Sequence, residues 1–217
     1  MSKLHIDVET YSSIDITKAG AYRYCESLDF EIVILCYAFG DSPIKTVDLL
    51  NGETIPQEFI EALHDPEVEK HAHNANFERN CFKAIGHDVP IDQWYCSAVK
   101  SAFCGLPLSL GAVSEALELK ENGKMAIGKA LIRYFSMLIK PTKANGQRLR
   151  NLPIHNPEKW ELYKEYCRGD VRAERQIGKI LQDYTIPEFE RENYIIDQQI
   201  NDRGIEIDTD FAKQACK

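Results

Sequence analysis

Short stretches in which apolar and polar residues alternate dominate the first part of the chain, and they predict a sheet. Residues 3–10 are expected to form a strand, since polar and apolar residues alternate from Lys3 to Glu9, and residues 30–41 form a mostly apolar run that ends in Gly-Asp. Residues 43–51 alternate again, which predicts a hairpin with the run before them. A brief strand is expected over residues 68–73, and residues 92–105 suit a strand end followed by a helix.

Elsewhere along the chain, apolar residues recur at helical spacing, which predicts helices. Asn74 and Ser109 stand where an N-cap is expected, and Asn156-Pro157 combines an N-cap with proline at the first helical position. The predicted helices cover residues 56–65, 74–85, 109–119, 124–136 and a long final helix from Asn156. Strands interspersed with helices predict an α/β domain with a mixed sheet.

The segment after residue 183 has a different organisation. It predicts a helix over residues 188–201, a glycine turn, a short strand over residues 205–208 and the first turn of another helix. This is too little material for a second core. We therefore expect residues 1–183 to form one domain and residues 184–217 to be the start of a following, truncated module.

Composition excludes several classes of protein. Hydrophobic residues make up 44% of the 217 residues and charged residues 28%, which is typical of a folded globular protein. The longest apolar run, from Ile32, is too short to span a bilayer, and the N-terminus has no apolar signal-peptide core. We expect a cytoplasmic protein without a membrane partner.

The cysteines and paired histidines predict no soft-metal site. The seven cysteines are odd in number and contain no C-x-x-C pair, so we expect reduced thiols. The H-x-H pair of His71 and His73 lacks a third ligand nearby, which favours a structural or hydrogen-bonding role.

Charge is distributed unevenly. The net charge is −8, but the segment from Lys120 to Arg150 holds eight basic residues and one acid, a local balance of +7. A solvated face is the simplest interpretation of such a segment. Contact with a polyanion becomes the better one if acids elsewhere form a metal site that a nucleic acid must approach.

Carboxylates at particular positions suggest such a site. Asp7 and Glu9 share one face of the first strand, roughly 7 Å apart along it, where their repulsion favours a bound cation. In the last helix, Tyr166 and Asp170 are four residues apart and so share one helix face. Glu78 stands near the start of a middle helix.

Each of these features is commonplace alone, but three motifs occur in a particular order: D-x-E-T on the first strand, N-x-x-F-E on a middle helix and Y-x3-D on the last helix. This order resembles the 3′–5′ exonucleases of the DEDD superfamily (DnaQ-like, ribonuclease H-like fold), in the branch with a tyrosine in its third motif. The resemblance covers most of residues 3–183. The segments "AGAYRYCES", "GKALIRYFS" and "INDRGIEID" further resemble the exonuclease domains of phage-type family A DNA polymerases.

The resemblance implies a ribonuclease H-like mixed sheet flanked by helices, a proofreading 3′–5′ exonuclease and two divalent ions, Mg²⁺ or Mn²⁺. It assigns the metal to Asp7, Glu9, Glu78 and Asp170, and the attacking water to Tyr166. Glu78 stands where aspartate is usual in the second motif. Its longer side chain is expected to reach the metal either directly or through a water molecule. The implied substrate is a single-stranded or mismatched DNA 3′ end. The implied partner is the polymerase module of the same full-length chain, in a bacterial or phage-infected cell.

The expected substrate contacts fall into two groups. The first consists of motif neighbours that could grip the terminal nucleotide, namely Thr10, His73, Asn74 and Phe77. For Thr10 and Asn74, a turn and an N-cap are equally good explanations. The second group is basic and could follow the phosphates, namely Lys124, Lys129 and Arg133.

Two alternatives remain open. A ribonuclease or repair exonuclease of the same superfamily would share the catalysis but would not continue into a polymerase, so the segment after residue 183 argues against it. A catalytically inactive nucleic-acid-binding module would have lost acids, whereas all four acids and Tyr166 are present.

Overall fold

The computed structural model describes residues 2–119 and 127–216, and the chain divides into two compact units, Met1–Thr185 and Ile186–Lys217. The first unit contains a five-stranded sheet. Its strands are β1 (Ser2–Tyr11), β2 (Glu31–Phe39), β3 (Lys45–Asp48), β4 (Val68–Ala72) and β5 (Trp94–Cys96).

The strand order is β3-β2-β1-β4-β5. Strand β1 lies at the centre, where it pairs antiparallel with β2 and parallel with β4. Strands β2 and β3 form the antiparallel hairpin that the sequence predicts, and β5 runs parallel to β4. The expected α/β class, with a mixed sheet flanked by helices, is confirmed.

Seven helices complete the first unit, within the part of the chain that the structure describes. They are α1 (Ile16–Cys25), α2 (Gln57–His64), α3 (Asn76–Ala84), α4 (Ser97–Phe103), α5 (Leu110–Ala116), α6 (Gly128–Phe135) and α7 (Pro157–Ile180). Asn156 caps α7 by accepting the Lys159 N–H at 2.9 Å, as expected. The first residues of the helix predicted over 124–136 lie outside the described residues.

Strand alternation places a core on each face of the sheet. Leu4, Ile6 and Val8 of β1 pack in one core with residues of α1, α2 and α3. The opposite face packs against α6 and α7, and Tyr11 belongs to that second core. The side chains of His5, Asp7 and Glu9 also point to this side, because successive strand residues alternate. The central strand thus presents its polar residues to the long helix α7.

Two local expectations are wrong, and one helix was not predicted. Helix α1 was not predicted, because its buried residues lie only at its end and Gly20 interrupts it with φ 77°. Asn74 is no N-cap: it adopts φ 71°, a left-handed conformation that asparagine tolerates, and Ala75 precedes the helix instead. The strand expected over residues 205–208 is not formed in the described structure.

The second unit consists of helices α8 (Glu188–Arg203) and α9 (Thr209–Ala215). Gly204 follows α8 with φ 68°, where the sequence predicts a glycine turn. Asp208 caps α9 by accepting the backbone N–H groups of Asp210 and Phe211. Among the described residues of the chain, no helix is both long enough and apolar enough to cross a membrane.

Candidate active site

Two carboxylates lie at the end of the central strand, beside an irregularity in its pairing. Glu9 pairs with Ile34 and Thr10 with Ile32, so Val33 is the extra residue of a β-bulge. Bulges bend a strand and redirect side chains, and they are common next to active sites. Carboxylate oxygens of Asp7 and Glu9 and the sulfur of Cys167 all lie within 4.8 Å of one another. The two acids of the first motif thus share one small volume.

Helix α7 contributes the third motif. Tyr166 and Asp170 are one turn apart, and the Tyr166 hydroxyl donates a hydrogen bond to Asp170. Burial raises the pKa of Tyr166 well above its ordinary value, and the charges of Asp170, Glu9 and Asp7 raise it further. The phenol therefore stays protonated at neutral pH. It can orient a group by donating a hydrogen bond, but it cannot act as a base.

Helix α3 contributes Glu78 from its first turn. Glu78 is only 3% exposed, and its Oε2 atom is buried without a hydrogen-bond partner among the described residues. Burial raises the pKa of Glu78 to about 8, and Asp170 and Glu174 add to the effect. The second-motif acid therefore points into the same buried region as the other acids.

The four acids influence one another electrostatically. Burial raises the pKa of Asp7 well above its ordinary value, followed by the charges of Asp170, Glu9 and Glu78. Burial also raises the pKa of Glu9, with further contributions from Asp170 and Glu78. Asp7, Glu9, Glu78 and Asp170 are thus brought together from three elements that are distant in sequence.

This arrangement fits a hard divalent cation. Asp7 Oδ2 is a second buried carboxylate oxygen that lacks a hydrogen-bond partner within the described parts of the chain. Carboxylate oxygens are the ligands that Mg²⁺ and Mn²⁺ prefer. Cys167 fits less well as a ligand, because its sulfur is a softer donor than the carboxylate oxygens that these hard cations prefer. Its sulfur instead lies 3.6 Å from the backbone oxygen of Asp7.

The structure adds Tyr163, which sequence reasoning missed. Its hydroxyl donates a hydrogen bond to Glu9 Oε2 at 2.5 Å and lies 2.7 Å from Ser136 Oγ. Tyr163 is fully buried and stacks on Tyr166, with ring centroids 6.3 Å apart. Its place one turn before Tyr166 was visible in the sequence, but its partner Glu9 was not.

A second polar cluster, also missed, lies along the same face of β1. His5 Nδ1 lies 2.5 Å from Glu174 Oε2, and Glu174 is one turn beyond Asp170. His71 lies beside His5, with ring centroids 5.1 Å apart, and its Nε2 is 3.0 Å from Glu69. The hydrogen bonding expected for His71 is seen with Glu69, but the third ligand that the sequence did not show near His71 is supplied in space, because ligand atoms of His5, His71 and Glu174 lie within 4.8 Å of one another.

The residues near the motifs that are expected to contact the substrate differ in their exposure and in their hydrogen bonding. Thr10 is buried and its hydroxyl lies 2.8 Å from that of Tyr24. Both ring nitrogens of His73 have partners, Ser97 Oγ at 2.9 Å and the Leu108 backbone oxygen at 2.8 Å, so its hydrogen bonding gives no support to a substrate contact. Asn74 is exposed and Phe77 is half-buried.

The basic segment has two kinds of residue. Lys129 and Arg133 are exposed on α6 and share one of its faces. Arg150 is committed to the fold, because its guanidinium stacks on Tyr11 at 3.6 Å from the ring centroid and pairs with Glu31. Lys124, the third predicted phosphate contact, lies outside the described residues.

Comparison with known proteins identifies one curated relative. A DNA polymerase of Bacillus phage SP02 is 50% identical over 216 residues, which are 99% of this chain and 33% of the polymerase. The chain therefore spans about a third of the length of that relative. No family model matches the chain.

Solved structures were also compared. An apo form of a nuclease covers 91% of this chain and 80% of its own, at 14% identity and a TM-score of 0.47. Brucella melitensis NrnC bound to pGG, and the same protein with bound Mg²⁺, give the same identity, coverage and TM-score.

Proposed function

This chain is homologous, over nearly its whole length, to one region of a phage DNA polymerase, and from that premise we propose that it is a metal-dependent 3′–5′ exonuclease domain. It removes nucleoside monophosphates from single-stranded or mismatched DNA 3′ ends, as the proofreading part of a longer polymerase. Residues 1–183 form this domain, and residues 184–217 lead into the polymerase module.

One observation carries the proposal. Four carboxylates from β1, α3 and α7 lie close together, Glu9 and Glu78 buried and Asp7 and Asp170 half-buried, and two of their oxygens have no hydrogen-bond partner among the described residues. Burying several carboxylates together is strongly unfavourable unless cations neutralise them. A site of this composition supports phosphodiester hydrolysis, and the polymerase relative favours DNA as the substrate.

Asp7, Glu9, Glu78 and Asp170 would hold two divalent ions, Mg²⁺ or Mn²⁺. Such ions supply a water of lowered pKa and stabilise the leaving 3′ oxygen. The chain's own contribution is to fix the ligands and orient the nucleophile. Tyr163 holds one oxygen of Glu9, and Tyr166 donates its hydroxyl proton toward Asp170, next to the place of attack.

Substrate contacts outside the acids follow from position and charge. Asn74, which is exposed, and Phe77, which is half-buried, lie beside Glu78 and suit the terminal nucleotide. Lys129 and Arg133 suit the phosphates further along the strand. A site that accepts a free 3′ end must unstack it, so single strands and mismatched ends are favoured.

The direct test is degradation of a 5′-labelled DNA primer with a mismatched 3′ nucleotide, in Mg²⁺, Mn²⁺ or EDTA. We expect a ladder that shortens from the 3′ end with either metal and intact primer in EDTA. An RNA oligonucleotide of the same sequence should be degraded more slowly. Faster degradation of RNA would favour a ribonuclease, and intact primer with folded protein would favour an inactive binding module.

A further inference from the structure

Gly128, the first residue of α6, lies against the ring of Tyr166. A Cβ atom added to Gly128 would lie 2.4 Å from Cε2, 2.8 Å from Cδ2 and 3.0 Å from Cζ of that ring. Ordinary van der Waals contact begins at 3.4 Å. Only a residue without a side chain therefore fits between the α6 backbone and the tyrosine.

Two other helical glycines of the described chain show that this contact is specific. A Cβ at Gly178 of α7 would meet nothing within 4 Å, and one at Gly169 would meet only the end of the Arg172 side chain at 3.6 Å. Gly128 does not have a positive φ, so its backbone conformation does not require glycine. Glycine is also a poor helix former. Close approach to the ring is the remaining reason for glycine at this position.

We propose that Gly128 is a positioning residue for the exonuclease reaction, acting through Tyr166; this inference rests on the function proposed above. The Tyr166 ring is confined from two sides, by Gly128 and by Tyr163, whose ring stacks on it at an angle of 16°. Tyr163 is itself fully buried and bonded to Glu9. A shift of the ring toward either neighbour therefore disturbs Tyr163 or the α6 backbone.

The size of the disturbance follows from the distances. To restore a 3.4 Å contact from 2.4 Å, the ring or the helix must shift by 1.0 Å (3.4 − 2.4). The Tyr166 hydroxyl bonds to Asp170, so such a shift moves this donor relative to Asp170. Under the proposed function, it also moves the donor away from the water that it would orient. Misplacement of a catalytic group by this amount lowers rates by on the order of 10²-fold.

The test compares Gly128→Ala with Gly178→Ala, the same change at an open position of the neighbouring helix. Initial rates of nucleotide release are measured over a range of DNA concentrations. We expect kcat of Gly128→Ala to fall about 10- to 100-fold with little change in KM, and Gly178→Ala to match wild type. A merely structural contact would leave kcat of the folded enzyme unchanged.

A double-variant cycle assigns the effect to the tyrosine. In a Tyr166→Ala background the clash is absent. Adding Gly128→Ala to that background should therefore lower neither kcat nor the melting temperature. Equal losses in both backgrounds, or a fully active Gly128→Ala, would overturn the inference while the proposed function stands. Wild-type protein that releases no nucleotide would instead overturn the proposed function, and this inference with it.

Discussion

Single residues in the site have protonation equilibria that depend on whether metal is bound. Asp7, Glu9 and Glu78 each have a raised pKa, with burial as the largest cause and neighbouring carboxylates as a further one. A bound divalent cation would lower these pKa values, because it favours the charged form of each ligand. Metal binding should therefore release protons and become tighter as pH rises.

Glu78 gives a prediction for the metal-free protein. Its pKa is raised to about 8 from an ordinary 4.5, so the unfolded chain releases this proton before the folded chain does. The stability that this group contributes is complete below pH 4.5 and is lost as the pH rises through about 8. Glu78→Gln keeps the shape without the charge. In EDTA its melting temperature should exceed that of wild type at pH 8, and the difference should shrink at pH 5.

The matched control is Glu67→Gln, which removes an exposed carboxylate. It should leave the melting temperature close to that of wild type at both pH values, because exposed charges contribute little. A Glu78→Gln protein that is no more stable than wild type at pH 8 would show that the folded state does not disfavour the Glu78 charge.

Secondary-structure elements meet at the site through α6 and α7. Ser136, just after α6, lies next to the hydroxyl of Tyr163, and Tyr163 reaches from α7 to Glu9 on β1. This chain of hydrogen bonds connects three elements and fixes the carboxylate of Glu9, a proposed metal ligand. A group that hydrogen-bonds to a metal ligand fixes the orientation of that ligand without contacting the metal itself.

Tyr163→Phe tests this connection. It removes the hydroxyl from Glu9 while keeping the ring that stacks on Tyr166 and Phe135. We expect the Mg²⁺ concentration for half-maximal rate to rise about 10- to 100-fold, or kcat to fall by a similar factor. Tyr134→Phe, on a half-buried tyrosine of α6, should change neither. Unchanged metal dependence in Tyr163→Phe would show that Glu9 holds its position without the hydroxyl.

Sequence patterns predict some of these elements and miss others for physical reasons. Asp7 and Glu9 on one strand face, and Tyr166 and Asp170 on one helix face, follow from local periodicity and needed no tertiary structure. That Glu78 joins them is a long-range contact, and only the order of the motifs indicated it. Tyr163 was missed because its partner Glu9 is distant in sequence, and α1 because its apolar residues form no continuous stripe.

The whole molecule carries a net charge of −8, so residues that would bind phosphates have to form a basic patch on one part of the surface. Lys129 and Arg133 are exposed on the helix whose first residue contacts Tyr166. They are therefore well placed, under the proposed function, for a DNA strand whose 3′ end would lie in the acidic site. Arg150, in the same basic segment, serves the fold through Tyr11 and Glu31.

Salt dependence tests the assigned role of α6. In Lys129→Gln/Arg133→Gln, the slope of log affinity for single-stranded DNA against log salt should become shallower by about 1.4, at about 0.7 per phosphate contact. The control Lys45→Gln/Lys179→Gln makes the same charge change at lysines paired with Glu58 and Asp41, and should preserve the slope. Equal slopes for wild type and the α6 variant would place the strand elsewhere.

The most direct test of the central claim, that the four carboxylates hold the catalytic metal, is the rate of 3′-nucleotide release by Asp7→Asn in saturating Mg²⁺. Asparagine removes the charge at the centre of the acidic site but keeps the side-chain shape. The rate should fall by about 10³-fold or more, since metal catalysis supplies several kcal/mol. The melting temperature in EDTA at pH 8 should rise, so lost activity could not be attributed to unfolding. An Asp7→Asn protein that degrades DNA within a few-fold of the wild-type rate would contradict the account.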